Sequence, residues 1–364
     1  MSNNVPLVKP FFPPRETLIP AIEEVIYSGY VAEGEYVYKF EKKLAELLSL
    51  KYALAVSSGT AALHLALKLV GIKDGDEVIS TALTAEPTNT SIAMLGANVV
   101  FADIDFKTGL ISPESIESRI TRKTKAIMIV HYAGNVCDLD KINEISIKYN
   151  IPVIEDAAHA FMSKYKGKYI GSNSRFTIFS FQAIKHLTTI DGGLLCLTNQ
   201  DDYERAKRLR WFGLSKTLPR LENNIIEAGF KYNMNNVTAI IGLIQLNYLD
   251  QNVKIYIQNG KYFDQELSKL PNVKILKYSN NTEPSYWLYT ILVDERDKFI
   301  KKMAYNGITC SPLHLRNDFH KVFKNNNELP FLDLFYEKFV HIPCGWWVNN
   351  EIRTKIVEII KEGW

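Results

Sequence analysis

Between Ala53 and Leu197 the chain alternates short apolar segments with helix-patterned stretches, and this alternation narrows the possible folds more than any other feature. The apolar segments are Ala53–Val56, Glu77–Ser80, Asn98–Ala102, Ala126–Val130 and Val153–Glu155. Helical spacing begins between them, near Thr60, Pro87, Ser112 and Asp138. Strands and helices alternating in this way predict an α/β fold whose mainly parallel sheet is covered on both faces. Two more strands, Phe176–Phe181 and Gly193–Leu197, are joined by the segment around Lys185.

Helical patterns at residues 16–30 and 34–48 precede the alternation, and others at 201–212 and 236–270 come after it. In the last of these, Ile241, Ile244, Tyr248 and Ile255 recur at helical spacing. Mixed strands and helices then run from Pro271 to Trp364. With 364 residues the chain can build one large domain and a smaller one. We place the division near Asp250, giving a large domain at 1–250 and a small α+β domain at 251–364.

The bulk properties exclude several function classes. A formal charge of +3 with no Lys/Arg block gives no support for nucleic-acid or membrane-surface binding. The four cysteines form no CxxC pair, so neither a zinc site nor a disulfide framework is expected, and buried free thiols are. The lead-in MSNNVPLVKPFFPPRE has no apolar signal-peptide core, and the chain has no run of eighteen apolar residues. A cytoplasmic location is expected, with no metal.

Four clusters carry chemistry, each at the end of a predicted strand or the start of a predicted helix, where open α/β sheets bind ligands. Ser57-Ser58-Gly59-Thr60 joins a strand to a helix. Its small residues, free helix N–H groups and the hydroxyls of Ser58 and Thr60 can hold a phosphate; an ordinary turn with an N-cap would look the same. Ile154-Glu155-Asp156-Ala157-Ala158-His159 ends an apolar strand in two acids. Asp156 either points into a cleft, where it could keep a pyridine nitrogen protonated, or caps the next helix. Lys185 lies between an apolar strand bearing Ser180 and the Gly192-Gly193 pair. A desolvated lysine there has a lowered pKa and can attack a carbonyl; a solvated loop lysine is the plain alternative, and neighbouring His186 reads as a packing or hydrogen-bonding residue. Gly229-Phe230-Lys231-Tyr232-Asn233-Met234-Asn235-Asn236 opens the long helix, where polar residues either reach a ligand or an asparagine caps the helix.

In this order and spacing the motifs SSGTAALHLAL, GANVVFADID, IEDAAHA, FSFQAIKHLTTIDGG, GFKYNM and IGLIQL resemble the DegT, DnrJ and StrS family of pyridoxal-phosphate sugar aminotransferases over essentially the whole chain. The resemblance implies the fold-type I aminotransferase architecture and a homodimer with sites at the subunit interface. It implies transfer of an amino group from glutamate to a nucleotide-linked keto-6-deoxy sugar. It assigns Lys185 as the Schiff-base lysine, Asp156 as partner of the pyridine nitrogen, and His159 as the residue beside the ring. Gly59, Thr60 and Ser180, with Ser58, match phosphate-holding positions. Lys185 also distinguishes the chain from the family's sugar 3-dehydratases, which have histidine there.

Two positions depart from the pattern. Ala85 occupies the slot where the family stacks an aromatic residue on the cofactor. Lys231 replaces the asparagine expected to reach the partner subunit's phosphate, where it can act as a point charge. The sugar diphosphate needs basic and aromatic partners from the C-terminal region, and Arg316 and Trp346-Trp347 are candidates, although paired tryptophans commonly pack a core. A nicotinamide oxidoreductase would need a G-x-G-x-x-G turn that Ser58-Gly59-Thr60 does not supply. A dehydratase of the same family and a non-catalytic regulatory protein of the same fold are also compatible with the motifs.

Overall fold

Val37, Phe40, Leu44 and Leu48 fall on one face of a helix and are buried together in α2 (Glu35–Leu48), which follows α1 (Arg15–Tyr27). The computed structural model describes residues 4–323 and 327–364. Helix α1 stops short of the expected Tyr30, where Gly29 takes a left-handed φ of 79°.

The alternation folds as predicted. Strands β1 (Tyr52–Val56), β2 (Glu77–Thr81), β3 (Asn98–Ala102), β4 (Thr124–Val130), β5 (Val153–Asp156), β6 (Phe176–Ser180) and β7 (Gly193–Leu197) form one seven-stranded sheet in the order β1-β7-β6-β5-β4-β2-β3. Every neighbouring pair is parallel except those of β7, which runs antiparallel to both β1 and β6. Helices α3 (Gly59–Val70), α4 (Glu86–Ala93), α5 (Pro113–Ser118), α6 (Leu139–Tyr149) and α7 (Gln200–Arg210) complete the layers. The middle strands are buried almost throughout, which explains their near-continuous apolar composition. Helix α3 is apolar on most sides because it lies against β6, β7, α4 and α7 at once.

Register decides where the site forms. Gly193 sits opposite both Val56 and Ser180, so the end of β1, the start of β7 and the end of β6 are level. Asp156 pairs with Val130 on one side and Ile178 on the other. The loops leaving β1, β4, β5 and β6 therefore open at one edge of the sheet.

Helix α8 (Asn236–Leu267) crosses from this layered core into a smaller unit. That unit has an antiparallel sheet of β8 (Val273–Ile275), β9 (Tyr289–Val293) and β10 (Phe339–Ile342), with α9 (Arg296–Tyr305), α10 (Pro330–Lys338) and α11 (Asn350–Lys361). Residue 250 falls inside α8, and the start of the chain joins the smaller unit: Val5 exchanges backbone hydrogen bonds with Gly307 and Thr309. The carboxylate of Asp264 on α8 accepts the hydroxyls of Tyr278, Tyr286 and Tyr289 at 2.7–2.8 Å, fastening the unit to the helix. All four cysteines are buried and free, as expected. Among the described residues no helix is long and apolar enough to cross a membrane.

Candidate active site

At the level edge of the sheet lies a cavity of about 350 Å³. The turn between β1 and α3 contributes Ser58, Gly59 and Thr60, and the strand ends contribute Val130, Asp156 and Ser180. Lys185 and His159 enter from the loops after β6 and β5. Wider surface hollows occur elsewhere, such as one of about 560 Å³ bordered by Lys51, Lys207 and Lys216. This smaller cavity brings Lys185 to the buried Asp156.

The β1–α3 turn shows both behaviours open to it. Ser58 Oγ caps α3 by accepting the Ala61 N–H at 3.0 Å, and the same residue lines the cavity. The first N–H groups of the helix have no carbonyl ahead of them and point outward. Backbones crowd here: a Cβ on Gly193 would lie 2.5 Å from the Ser58 carbonyl, and one on Gly59 would lie 2.9 Å from Ser180 Cβ. Only glycine lets β7 and α3 approach so closely.

Asp156 is held rather than capping. No helix follows β5; Asp156 Oδ1 accepts the Ala158 N–H at 3.0 Å, and Oδ2 accepts the Thr88 hydroxyl at 2.7 Å. Thr88 is tied in turn to Thr84 at 2.8 Å. Burial pushes the Asp156 pKa up, and Thr88, the Ala158 N–H and Lys185 only partly offset it. Behind it, the Cys137 N–H donates to His131 Nδ1, so Nε2 carries the hydrogen and donates to Glu155 at 2.9 Å.

Lys185 is half-buried in the cavity wall rather than solvated on a loop. Burial lowers its pKa to about 7, against the attraction of Asp156. Its Nζ lies 3.7 Å from the centroid of the Trp287 ring. His159 stacks on the same tryptophan with centroids 4.0 Å apart, and its Nδ1 accepts the Ala133 N–H at 3.4 Å. Burial, reinforced by Lys185, drives the His159 pKa well below the ordinary range, so the ring is neutral with its hydrogen on Nε2. His186 donates Nε2–H to the Ser285 carbonyl at 3.1 Å, the supporting role expected of it.

The cavity thus collects Ser58, Gly59, Thr60, Asp156, His159, Ser180 and Lys185. Lys231 is not among its lining residues: its Nζ donates to Asn233 Oδ1 at 2.6 Å and lies 4.2 Å from the Trp211 ring centroid. Asn235 supplies the expected asparagine cap, accepting the Thr238 N–H. Thr88, Trp287 and His314 line the cavity without having been singled out by the sequence. Thr84 and Thr88, four residues apart across the start of α4, were the available signal for the first. The C-terminal candidates are committed elsewhere. Arg316 makes a paired ion contact with Asp318 and reaches Asp333, while Trp346 packs on Phe11 and Lys9, and Trp347 donates to the Pro6 carbonyl.

Lys185 and the buried Asp156 together suit a ligand that brings a cationic ring nitrogen to Asp156 and a phosphate to α3. The comparison with known proteins decides the matter, because the sequence profile of the DegT/DnrJ/EryC1/StrS aminotransferase family matches residues 14–361. The chain belongs to that family. GDP-perosamine synthase of Escherichia coli O157:H7 is 36% identical over 355 residues, 94% of each chain. The structure of AtS13 from Actinomadura melliaura superposes with a TM-score of 0.96 at 36% identity over all of both chains. The sugar aminotransferase CalS13 from Micromonospora echinospora gives 0.95 at 31% identity, covering 99% of this chain and 100% of its own. The protein is accordingly a family aminotransferase dependent on pyridoxal 5′-phosphate, and solved relatives include PLP and PMP forms. The motif resemblance and the fold-type I architecture agree with these findings.

Proposed function

We propose that the protein moves the amino group of glutamate onto the ketone of a nucleotide-linked keto-6-deoxy sugar, with Lys185 as the residue that carries the cofactor. The meeting of Lys185 and Asp156 in one cavity at the N-terminus of α3 carries this reading. Relatives named GDP-perosamine synthase and sugar aminotransferase support the sugar acceptor. When bound, pyridoxal 5′-phosphate supplies the electron sink that lets an amino group be taken up and passed on.

The chain's own residues divide the remaining work. The first turn of α3, through Gly59 and Thr60 with the hydroxyls of Ser58 and Ser180, holds the phosphate dianion. Asp156, hard to ionise in its dry surroundings, becomes a stable carboxylate opposite a protonated ring nitrogen, and Thr88 fixes its orientation. His159 stands beside the ring as a neutral donor. With its pKa near 7, Lys185 Nζ is part neutral at physiological pH, and it takes the proton from the donor's α-carbon and returns one. The purified protein should be yellow, with a visible band that shifts on adding glutamate. Offered nucleotide 4-keto- and 3-keto-6-deoxy sugars with glutamate, it should yield a product whose mass shows added nitrogen. A deoxygenated product without nitrogen would replace this reading with that of a dehydratase.

The same reading makes the working unit a cytoplasmic homodimer, with a large domain at 1–250, whose first residues dock on the other unit, and a small one at 251–364. Exposed apolar residues on one segment, Phe212, Leu218, Leu221, Ile225 and Ile226, support a covered face there. Lys231 ends that stretch, paired through the backbone with Trp211, and in a dimer it reaches the partner's phosphate. Lys231→Ala should then weaken cofactor binding roughly tenfold, the worth of one charge-assisted hydrogen bond. Spectrophotometric titration with pyridoxal phosphate measures this, and unchanged affinity would remove Lys231 from the site.

A further inference from the structure

Trp287 reaches the cavity from just ahead of β9, in the smaller unit, and none of the roles assigned to the other lining residues uses it. Its ring touches the Lys185 amine, at 3.7 Å from centroid to Nζ. Its indole N–H donates to the Ile184 carbonyl at 2.9 Å, the residue before the lysine. On the other side of the lysine, His186 donates to the carbonyl of Ser285. The two segments are therefore stitched together around Lys185. Between these stitches Tyr286 adopts a left-handed φ of 51°, and its hydroxyl is held by Asp264 at 2.7 Å. Strain of this kind persists only where the surroundings enforce it. Here it turns the tryptophan back towards the larger core.

We propose that Trp287 is a positioning residue for Lys185: its ring face is where the amine rests whenever it is not bonded to the cofactor, and that face favours the protonated amine. The negative face of an indole attracts an ammonium, and the attraction strengthens where water is excluded. The other groups facing the amine leave this contact a defined share. Asp156 attracts the charge, whereas burial lowers the pKa of His159, His186 and His314 and so disfavours positive charge on them. Glu86 and Asp191 line the same cavity. A freed amine is thus tethered between a carboxylate and a ring, within reach of the reacting carbon. The inference rests on the reading of Lys185 as the cofactor-bearing lysine.

The test uses the full-length apo protein. Brief acetic anhydride labelling across a pH series, with mass spectrometry of the Lys185 peptide, gives the pH midpoint of that amine. Biosynthetic replacement of tryptophan by fluoro- and difluorotryptophan weakens the ring face without changing its shape. The midpoint should fall stepwise, by roughly half a pH unit for the difluoro ring. Trp287→Phe should lower it slightly, and Trp287→Leu by about one unit, a tenfold loss of proton affinity. A midpoint that stays fixed across the fluorinated series overturns the proposal, and the series decides even if the leucine variant does not fold. Because the cofactor is absent, failure here leaves untouched whether Lys185 carries it, which the spectrum of Lys185→Ala decides separately.

Discussion

Lys185→Ala is expected to lower the transamination rate by roughly 10³-fold or more while leaving the fold intact, since it removes both the cofactor linkage and the proton carrier. Single-turnover kinetics with glutamate, alongside circular dichroism, would measure both. A rate within a factor of a few of the wild type would end the assignment. The same substitution has a stability signature in the apo protein. The folded pKa of the amine, about 7, lies below its ordinary value of 10.5. Between those limits the unfolded chain holds more protons than the folded one, so stability rises with pH. The cost of desolvating the charged amine is full below pH 7 and fades through that window. Lys185→Ala should flatten this rise, which denaturant titrations at pH 7 and pH 10 would reveal.

Asp156→Asn is expected to cost about 10²–10³-fold in the glutamate half-reaction, the size of loss that accompanies removal of one preorganised electrostatic partner. The replacement keeps the volume but removes the negative charge needed opposite the ring nitrogen. It also disturbs its own support. The carboxylate oxygen accepts the Thr88 hydroxyl at 2.7 Å, and an amide NH₂ in that place cannot. If the asparagine turns its oxygen to Thr88, its NH₂ meets the Ala158 N–H instead, two donors facing one another. Stopped-flow absorbance on adding glutamate would show the slowed step, and a rate within threefold of the wild type would sink the role given to Asp156.

Much of the fold was legible because alternation is a local pattern. Strands at 53–56, 98–102, 153–155 and 193–197 could be located to within a residue or so, since each is a short apolar run closed by small or polar residues. The reversed direction of β7 was not legible. Its composition matches its parallel neighbours, and only its pairing with β1 and β6 distinguishes it. At the site, Lys185 and Asp156 stood out because they break apolar strands. Thr88 did not, because its role depends on the start of α4 meeting the end of β5, 68 residues away in the chain. Trp287 and His314 come from farther still, in a region whose sequence reads as ordinary packing. Arg316 shows the opposite error. An arginine in a polar loop looks available to a diphosphate, yet here it is buried and held by Asp318 and Asp333.

Helix α8 is one continuous rod of 32 residues, about 48 Å long at 1.5 Å per residue. Leu243, Leu249 and Val253 seal one end into the main core, while Phe263 and Leu267 seal the other into the smaller one. Neither core can melt without stripping the helix of much of its apolar cover, and a bare helix is marginal in water. The chain's two units are thereby made to unfold together: the shared beam adds its coupling to that of the apolar core which Leu288, Leu292, Phe335 and Phe339 of the smaller unit share with the sheet.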